Sequence, residues 1–258
     1  MTTTVKESVL PAFGISDDRT EVKQFGSGLI NHTWRVQTDN RTFILQRIND
    51  TVFAQPHNIE HNIKVIAAHL GRCHPDYCFA APLAALDGSE MIHQQECGFF
   101  RVFPFIQGSH SIDVVESAEQ AFEAALQFGR FTRLLSGVDV DQLKITIPSF
   151  HDLTLRYSQF QLALKKGNEQ RVRAAGELIA DLLGFAGIVD EFERIKVTPA
   201  FKLRVTHHDT KISNVLFDEN NKGLCVIDLD TVMPGYFISD VGDMMRTYLS
   251  PVSEEEPD

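Results

Sequence analysis

The sequence lacks most features that mark secreted, membrane-spanning or nucleic-acid-binding proteins. Its four cysteines include no C-x-x-C pair, so the common zinc and redox motifs are excluded and we expect reduced thiols. No apolar run is long enough to cross a bilayer, and residues 1–7 lack the apolar core of a signal peptide. The net charge of −11 argues against a protein that binds nucleic acids or anionic membranes, because such binding needs a basic surface. We therefore expect a cytoplasmic protein with no nucleic-acid or membrane partner.

The composition is that of an ordinary globular protein, with 43% hydrophobic and 23% charged residues in a chain of 258. This length suits one large domain or two small lobes. Residues 1–105 are predicted to be mostly β-strand, with one helix that begins at Pro56. Pro104 and Gly108 interrupt the pattern, and residues 106–258 are mainly helical in their periodicity. The sequence predicts an α+β fold with a β-rich N-lobe over 1–105 and a helical C-lobe over 106–258.

Capping patterns mark the helix starts of the second lobe. They occur at residues 117–120 and 149–152. Residues 169–196 are predicted to be helical, with a bend or break at Gly184 and Gly187.

The most informative stretch is residues 206–214, which contains the pattern H-x-D-x-K-x-x-N. Two apolar strands joined by a polar turn follow at 215–227, and Asp228 ends the second strand. Protein-kinase-type phosphotransferases place their catalytic loop and magnesium-binding aspartate in this order. A short loop before one strand and the tip of the next would bring Asp209, Asn214 and Asp228 together.

Other polar residues near this stretch are predicted to be structural. His207 and His208 could suggest a metal pair, but adjacent residues on an extended segment face opposite ways. We therefore predict that His207 packs beneath the loop. Asp240 and Asp243 follow closely in the sequence and are predicted to brace the loop from below.

A glycine pair, Gly26 and Gly28 with Ser27 between them, lies between two predicted strands. A Walker loop or a Rossmann turn needs a following helix, so this position disfavours both. It suits a hairpin flap whose backbone amides close over phosphates, with a plain hairpin turn as the alternative. Asn31 and His32 follow the flap at the mouth of the predicted cleft, where they either touch substrate or cap the turn.

The return strand departs from the protein-kinase pattern. Where a kinase has a lysine that reaches the phosphates, this sequence has Gln46. A regular strand turns Arg47 to the other face, so either Gln46 makes a neutral hydrogen bond or a local distortion lets Arg47 supply charge. Glu60, on the next helix, is the counterpart of the kinase ion-pair glutamate, with a solvated helix residue as the alternative.

The motifs resemble those of the aminoglycoside and choline kinase-like phosphotransferases, and more closely those of N-acetylhexosamine 1-kinase-like sugar kinases. The resemblance covers about residues 20–250. It is carried by Gly-Ser-Gly-Leu-Ile-Asn-His-Thr at 26–33, Phe-Ile-Leu-Gln-Arg-Ile-Asn at 43–49, His-His-Asp-Thr-Lys-Ile-Ser-Asn at 207–214, Ile-Asp-Leu-Asp-Thr-Val-Met-Pro-Gly at 227–235 and Asp-Val-Gly-Asp at 240–243. It implies a protein-kinase-like bilobal fold. It also implies transfer of the ATP γ-phosphoryl group, with Mg²⁺, to the anomeric hydroxyl of a sugar such as N-acetylglucosamine or N-acetylgalactosamine.

This interpretation assigns roles to five residues. Asp209 orients the acceptor hydroxyl and accepts its proton late, and Lys211 steadies the transferring phosphoryl group. Asn214 and Asp228 hold magnesium. Asp230 lies next to the metal site and binds either metal or acceptor.

The sequence stops at residue 258, whereas such kinases usually continue with further helices. We therefore expect a fragment or a shortened variant with a truncated C-lobe. Two other functions remain open. One is a kinase of the same fold that acts on an amino alcohol or an aminoglycoside, whose cationic character the acidic balance of the chain would suit. The other is a nucleotide-binding scaffold without catalysis, which Gln46 favours and the presence of Asp209, Asn214 and Asp228 disfavours.

Overall fold

The computed structural model describes residues 5–16, 19–26, 28 and 30–250. The chain divides into two compact units. The first comprises Met1–Ile147 and Arg204–Asp258, and the second comprises Pro148–Leu203. This division does not coincide with the lobe boundary placed after residue 105, which stays a prediction.

The first unit contains a five-stranded antiparallel sheet with the strand order β1-β2-β3-β5-β4. A π-helical turn at Val5–Val9 and a short helix, α1 (Leu10–Ala12), precede the sheet. Its strands are β1 (Glu21–Gln24), β2 (His32–Gln37), β3 (Thr42–Ile48), β4 (Ile92–Gln94) and β5 (Gly98–Pro104). In β3, Phe43 and Leu45 are buried in an apolar core on one side of the sheet. Because successive strand residues alternate, Gln46 faces the opposite side.

A long helix, α2 (Pro56–Cys73), follows the sheet strand β3. Its proline occupies the first turn, where no backbone N–H is needed. Ile59, Ile63, Ile66 and Leu70 lie at helical spacing and are all buried in the larger apolar core. The helix predicted from Pro56 is therefore observed, and its apolar stripe anchors it to the unit.

The next helix, α3 (Ala118–Leu134), begins at a side-chain cap. The Ser117 hydroxyl accepts a hydrogen bond from the Gln120 N–H at 3.3 Å. The Gln120 side chain accepts from the Glu116 N–H, one residue before the position that a standard capping box uses. Phe128 and Phe131 carry the buried face of this helix. A 3₁₀ turn at Val140–Gln142 follows.

The second unit is helical and contains α4 (Leu153–Lys166), α5 (Glu169–Ala174), α6 (Gly176–Gly184) and α7 (Gly187–Val197). Asp152, rather than Ser149, caps α4 by accepting from the Leu155 N–H at 3.0 Å. The predicted break between Gly184 and Gly187 is observed, and a second break occurs at Ala175. No residue in these four helices, all of which are described, is buried.

The chain then returns to the first unit and forms two small antiparallel sheets. One pairs β6 (Arg204–Thr206) with β9 (Met233–Gly235), and the other pairs β7 (Val215–Phe217) with β8 (Gly223–Val226). The hairpin predicted from the sequence at 215–227 is the second of these. The last helix of the described part is α8 (Phe237–Tyr248). Among the described residues, no helix has both the length and the apolarity needed to cross a membrane.

Candidate active site

The predicted catalytic loop connects β6 to β7. The Asn214 side-chain nitrogen donates to Asp209 twice, to the carboxylate Oδ2 at 2.8 Å and to the backbone carbonyl at 2.9 Å. A 3₁₀ turn at Ile212–Asn214 folds the loop back so that these residues, five apart in sequence, can meet. Since the amide nitrogen of Asn214 faces Asp209, its amide oxygen is the atom left to bind a cation.

Two carboxylates of α8 hold the loop from below. Asp240 accepts from the backbone N–H groups of His207 at 2.9 Å and of His208 at 2.8 Å. Asp243 accepts from the N–H of Thr210 at 2.6 Å. Both carboxylates are buried, so the loop's backbone donors are satisfied away from water. Asp240 and Asp243 thus accept from the backbone of the loop, and their predicted bracing role stays a prediction.

His207 is buried at the start of the loop. Its Nδ1 accepts from the Asp209 N–H at 3.3 Å, so Nε2 carries the proton and donates to the Ile227 carbonyl at 3.0 Å. The ring also packs edge-on against Phe128 and Phe131. His207 therefore links the catalytic loop to the strand end that carries the metal-binding candidate.

Asp228 follows β8 in the left-handed backbone region, with φ of 58°. A non-glycine residue in this conformation is strained and is held by its surroundings. The Asp228 side chain lines the cavity described below and is exposed to it. Desolvation by the protein atoms around the carboxyl, followed by the charges of Asp230 and Asp209, raises the pKa of Asp228 to about 6. A divalent cation bound between such carboxylates would relieve their mutual repulsion.

Lys211 extends from the catalytic loop to the same place. Its Nζ lies 3.4 Å from the Asp209 Oδ2, and both side chains are partly exposed. The Lys211 side chain lines the cavity next to Asn214 and Asp228. It therefore brings a positive charge to the polar end of the cavity.

The cavity itself has a volume of about 510 Å³, which is in the range of small-molecule sites. Its wall is largely apolar and is formed by Phe25, Ile44, Ala80, Phe103, Pro104, Phe105, Ile106, Leu216 and Ile227. The polar end carries Gln46, Lys211, Asn214 and Asp228. Such a wall suits a flat aromatic group, with a charged tail directed toward the polar end.

The glycine turn lies between β1 and β2 and contributes Gly26 and Gly28 to the cavity lining. Gly26 has φ of 79°, which favours glycine, and the space where a Cβ would stand is open. Ser27 lies outside the described residues. His32 is exposed on β2 beside Trp34 and does not belong to the cavity lining within the described part of the chain.

Gln46, not Arg47, faces the cavity. The register of β3 with β2 and β5 is regular through both residues, so no local distortion redirects Arg47. The Arg47 guanidinium instead lies beside Gly98 at the far end of the β4–β5 hairpin. Of the two alternatives left open by the sequence, the structure favours a neutral Gln46 at this position.

Glu60 is not brought to Gln46. Its partners among the described residues are Lys64 Nζ at 2.9 Å, His57 Nδ1 at 3.2 Å and the Glu90 N–H at 3.0 Å. Burial alone would raise the pKa of Glu60, but these bonds outweigh it, so the pKa is lowered. Glu60 therefore stabilises its own helix and the neighbouring loop, and the kinase-type ion pair is absent from the described residues.

Asp230 and Asn31 meet each other behind the cavity. The Asn31 Nδ2 donates to the Asp230 Oδ2 at 2.7 Å, and the Asp230 Oδ1 forms an ion pair with Arg101 at 2.5 Å. Both ionised side chains are almost completely buried. Sequence reasoning missed Arg101, because a single arginine inside an apolar strand carries no motif. It also missed the aromatic wall at 103–105, for which the run of apolar residues in β5 was the available signal.

The loop geometry is that of kinase-type phosphotransferases, in which an aspartate, an asparagine and a strand-end aspartate converge. Comparison with known protein families identifies the family to which the chain belongs. A sequence model of the phosphotransferase enzyme family matches residues 21–257, which include every site residue described above. The chain belongs to this family, and the predicted family is confirmed.

Solved structures of low identity share the fold. A spectinomycin phosphotransferase in complex with ADP and spectinomycin has a TM-score of 0.60 at 15% identity, over 98% of this chain and 80% of that one. An amicoumacin kinase in complex with AMP-PNP and Ca²⁺ has a TM-score of 0.58 at 14% identity, over 88% of this chain and 63% of that one. A microcompartment-associated aminopropanol kinase has a TM-score of 0.57 at 17% identity, over 94% of this chain and 74% of that one. These likenesses confirm the predicted protein-kinase-like α+β fold.

Proposed function

We propose that the chain transfers the γ-phosphoryl group of ATP to a hydroxyl group of a small molecule. The observation that carries this proposal is the convergence of Asp209, Asn214 and Asp228 at the polar end of an apolar cavity. The apolar wall takes the adenine, and the phosphates extend past Gly26 and Gly28 toward Asp228. Solved relatives with ADP or AMP-PNP support a nucleotide in this position.

The residues fit magnesium as the accompanying cation. The donors available are the Asp228 carboxylate and the Asn214 amide oxygen, and oxygen ligands together with phosphates are what Mg²⁺ takes in kinase sites. Among the described residues, no three His, Cys, Asp or Glu side chains form a complete metal site on their own. When bound, the cation would neutralise charge on the phosphate oxygens.

The protein's own groups do the remaining work. Asp209 faces the acceptor hydroxyl, orients it for in-line attack on the γ-phosphorus and takes its proton late. Asn214 holds the Asp209 carboxylate in place through its 2.8 Å hydrogen bond. Lys211, which lines the cavity, stabilises the charge on the transferring phosphoryl group. Since the transition state is loose, positioning and charge account for most of the rate.

The sequence resemblance names one acceptor class, the N-acetylhexosamines, phosphorylated at the anomeric hydroxyl. The motifs at 26–33, 43–49, 207–214 and 227–235 support this candidate. A second candidate is an amino alcohol or an aminoglycoside. It has the better support from the solved relatives, which include an aminopropanol kinase and a phosphotransferase complexed with spectinomycin. The net charge of −11 also suits a cationic acceptor.

A panel of acceptors tests the function and separates the candidates. The purified protein is mixed with Mg-ATP and, in separate reactions, with N-acetylhexosamines, amino alcohols and aminoglycosides, and ADP release is followed. Acceptor-dependent ADP release, with a phosphorylated product seen by mass spectrometry, supports the proposal. Loss of the reducing end identifies the anomeric kinase, and turnover confined to amino-bearing acceptors identifies the second candidate. Magnesium-dependent ATP binding without transfer to any acceptor contradicts the proposal and favours a non-catalytic scaffold.

A further inference from the structure

Arg101 is a buried, positively charged side chain next to the cavity, and no sequence motif marks it. Arg101 lies on β5, directly opposite Gln46 of β3 in the strand register. Residues opposite each other in a sheet point to the same face, so both side chains lie on the cavity side of β3. Arg101 is only 1% exposed, and its guanidinium stacks at 4.9 Å over the ring of Phe103, which lines the cavity.

Arg101 sets the orientation of the Gln46 amide. Its Nε and Nη2 both donate to the Gln46 Oε1, at 3.1 and 2.8 Å. The oxygen end of the amide is therefore fixed toward Arg101, and the nitrogen end points away from it. That nitrogen donates to the Thr33 hydroxyl at 3.3 Å, and both Gln46 and Thr33 line the cavity. One N–H of the neutral glutamine is therefore left to donate toward the ligand space, rather than a carbonyl.

The same guanidinium fixes Asp230. The ion pair at 2.5 Å holds one oxygen of this carboxylate, and Asn31 donates to the other at 2.7 Å. Asn31 in turn accepts from the Asn49 N–H at 3.0 Å. Both carboxylate oxygens of Asp230 therefore have a protein partner. Among the described residues, neither the Arg101 Nη1 nor the Asp230 Oδ1 has a hydrogen-bond partner, so the ion pair alone joins this oxygen to the guanidinium.

We propose that Arg101 is a positioning residue that replaces the strand lysine of other kinases. It orients the Gln46 amide to donate to the nucleotide phosphates, adds a fixed positive charge behind that amide, and keeps Asp230 out of the metal site. This inference rests on the proposed function only in that the cavity takes an adenine nucleotide. It gives Asp230 a supporting role rather than direct contact with metal or acceptor.

Comparing ADP with adenosine tests the inference without requiring catalysis. Both affinities are measured by titration calorimetry in the presence of magnesium, for the wild-type protein and for Arg101→Met. We expect ADP to bind at least about tenfold more weakly to the variant, as for loss of a hydrogen bond to a charged group. Adenosine, which has no phosphates, should bind within about twofold of the wild type. A purely structural role for Arg101 would weaken both ligands together.

Arg101→Met leaves Asp230 buried without its partner and could fold poorly. Gln46→Glu provides the second variant, because its carboxylate would still accept from Arg101 but would present no N–H group to a phosphate. We expect the same selective loss of ADP affinity. Arg41→Met is the matched control, since it removes one positive charge from an exposed turn of the same sheet and should leave both affinities unchanged.

The outcomes separate this inference from the proposed function. Equal losses for ADP and adenosine, or no loss for either variant, would overturn the role of Arg101. A selective loss of ADP affinity in a protein that transfers phosphate to no acceptor would support Arg101 while contradicting the proposed activity. Failure of the wild-type protein to bind ADP would overturn both.

Discussion

The catalytic loop and the phosphate side of the cavity are built in different ways. The loop follows the protein-kinase pattern at His207, Asp209 and Asn214, and its backbone donors are held by buried carboxylates. On the phosphate side, Gln46 and Glu60 depart from the protein-kinase pattern. In the glycine turn, no atom lies near the position that a Cβ of Gly26 would occupy. The loop is thus held by buried carboxylates, whereas Gln46 and Glu60 have partners that differ from those of the protein-kinase pattern.

The difference lies in how far apart in sequence the partners are. Asn214 bonds to Asp209 five residues away, and the carboxylates of α8 reach the loop from about thirty residues further on. Gln46 is fixed by Arg101, 55 residues away, and Asn31 is fixed by Asp230, 199 residues away. Local spacing can specify the bond between Asn214 and Asp209. The bonds of Gln46 and Asn31 depend on how strands pair and how the loop segment packs against the sheet.

The largest effect should come from the loop itself. Asp209→Asn is expected to lower kcat by about 10²–10⁴-fold, because the acceptor loses its proton-accepting group. The Asn214 hydrogen bond can persist to the new amide oxygen, so the melting temperature should stay close to that of the wild type. Turnover is measured with the acceptor identified from the panel. A variant with near-normal kcat would show that Asp209 does not orient the hydroxyl.

The carboxylates beneath the loop should be next in importance. Asp240→Ala leaves two buried backbone N–H groups without an acceptor, at about 1–3 kcal/mol each, and should reduce the free energy of unfolding by roughly 2–6 kcal/mol.

Asp218→Ala is the matched control for this change. Asp218 also accepts from two backbone N–H groups, those of Asn220 and Lys222, but at an exposed hairpin turn. Water can replace its bonds, so we expect a loss of about 1 kcal/mol or less, as for exposed sites. Denaturant unfolding measures both variants. Equal losses would mean that burial is not what makes the bracing of the loop strong.

Glycines allow the two regions to be compared by one kind of substitution. In Gly235→Ala the new methyl group would overlap His208 and Thr206, whose side chains share a buried hydrogen bond at 2.7 Å. Overpacking of this kind costs about 1–3 kcal/mol, and the displaced loop should also lower kcat. Gly26→Ala meets no neighbouring atom, but it places alanine at φ of 79°, at a cost of about 1 kcal/mol. Greater destabilisation by Gly26→Ala, measured by thermal unfolding, would contradict the expected difference between the loop and the glycine turn.

Much of the fold and of the loop could be predicted from the sequence because short-range rules decide them. The helix at Pro56 and the hairpin at 215–227 follow from periodicity and turn composition. The role of Arg101 could not be predicted, since it becomes visible only when β5 is placed beside β3.

The protein-kinase pattern suggested that Glu60 forms an ion pair with a residue of β3, but its observed partners lie in other parts of the chain. Protein-kinase spacing placed it opposite the strand residue, but its bonds are local, to Lys64, His57 and the Glu90 N–H. Sequence spacing cannot predict a contact that depends on how two separate elements pack against each other.

Glu60 provides the smallest of the expected effects and a direct test of whether the phosphate side departs from the protein-kinase pattern. Lys64 is largely exposed and solvent screens its pairing with Glu60, so Glu60→Gln should cost less than about 1 kcal/mol at pH 7. Because the pKa of Glu60 is lowered in the folded protein, its stabilising contribution is present above the ordinary value of 4.5 and is lost as the pH falls through the lowered value. The difference between variant and wild type in urea unfolding should therefore shrink toward zero as the pH falls below the lowered pKa of Glu60. ATP affinity at pH 7 should stay unchanged. A Glu60→Gln variant that loses tenfold or more in ATP affinity would restore the kinase-type role for Glu60 and remove the contrast between the two regions.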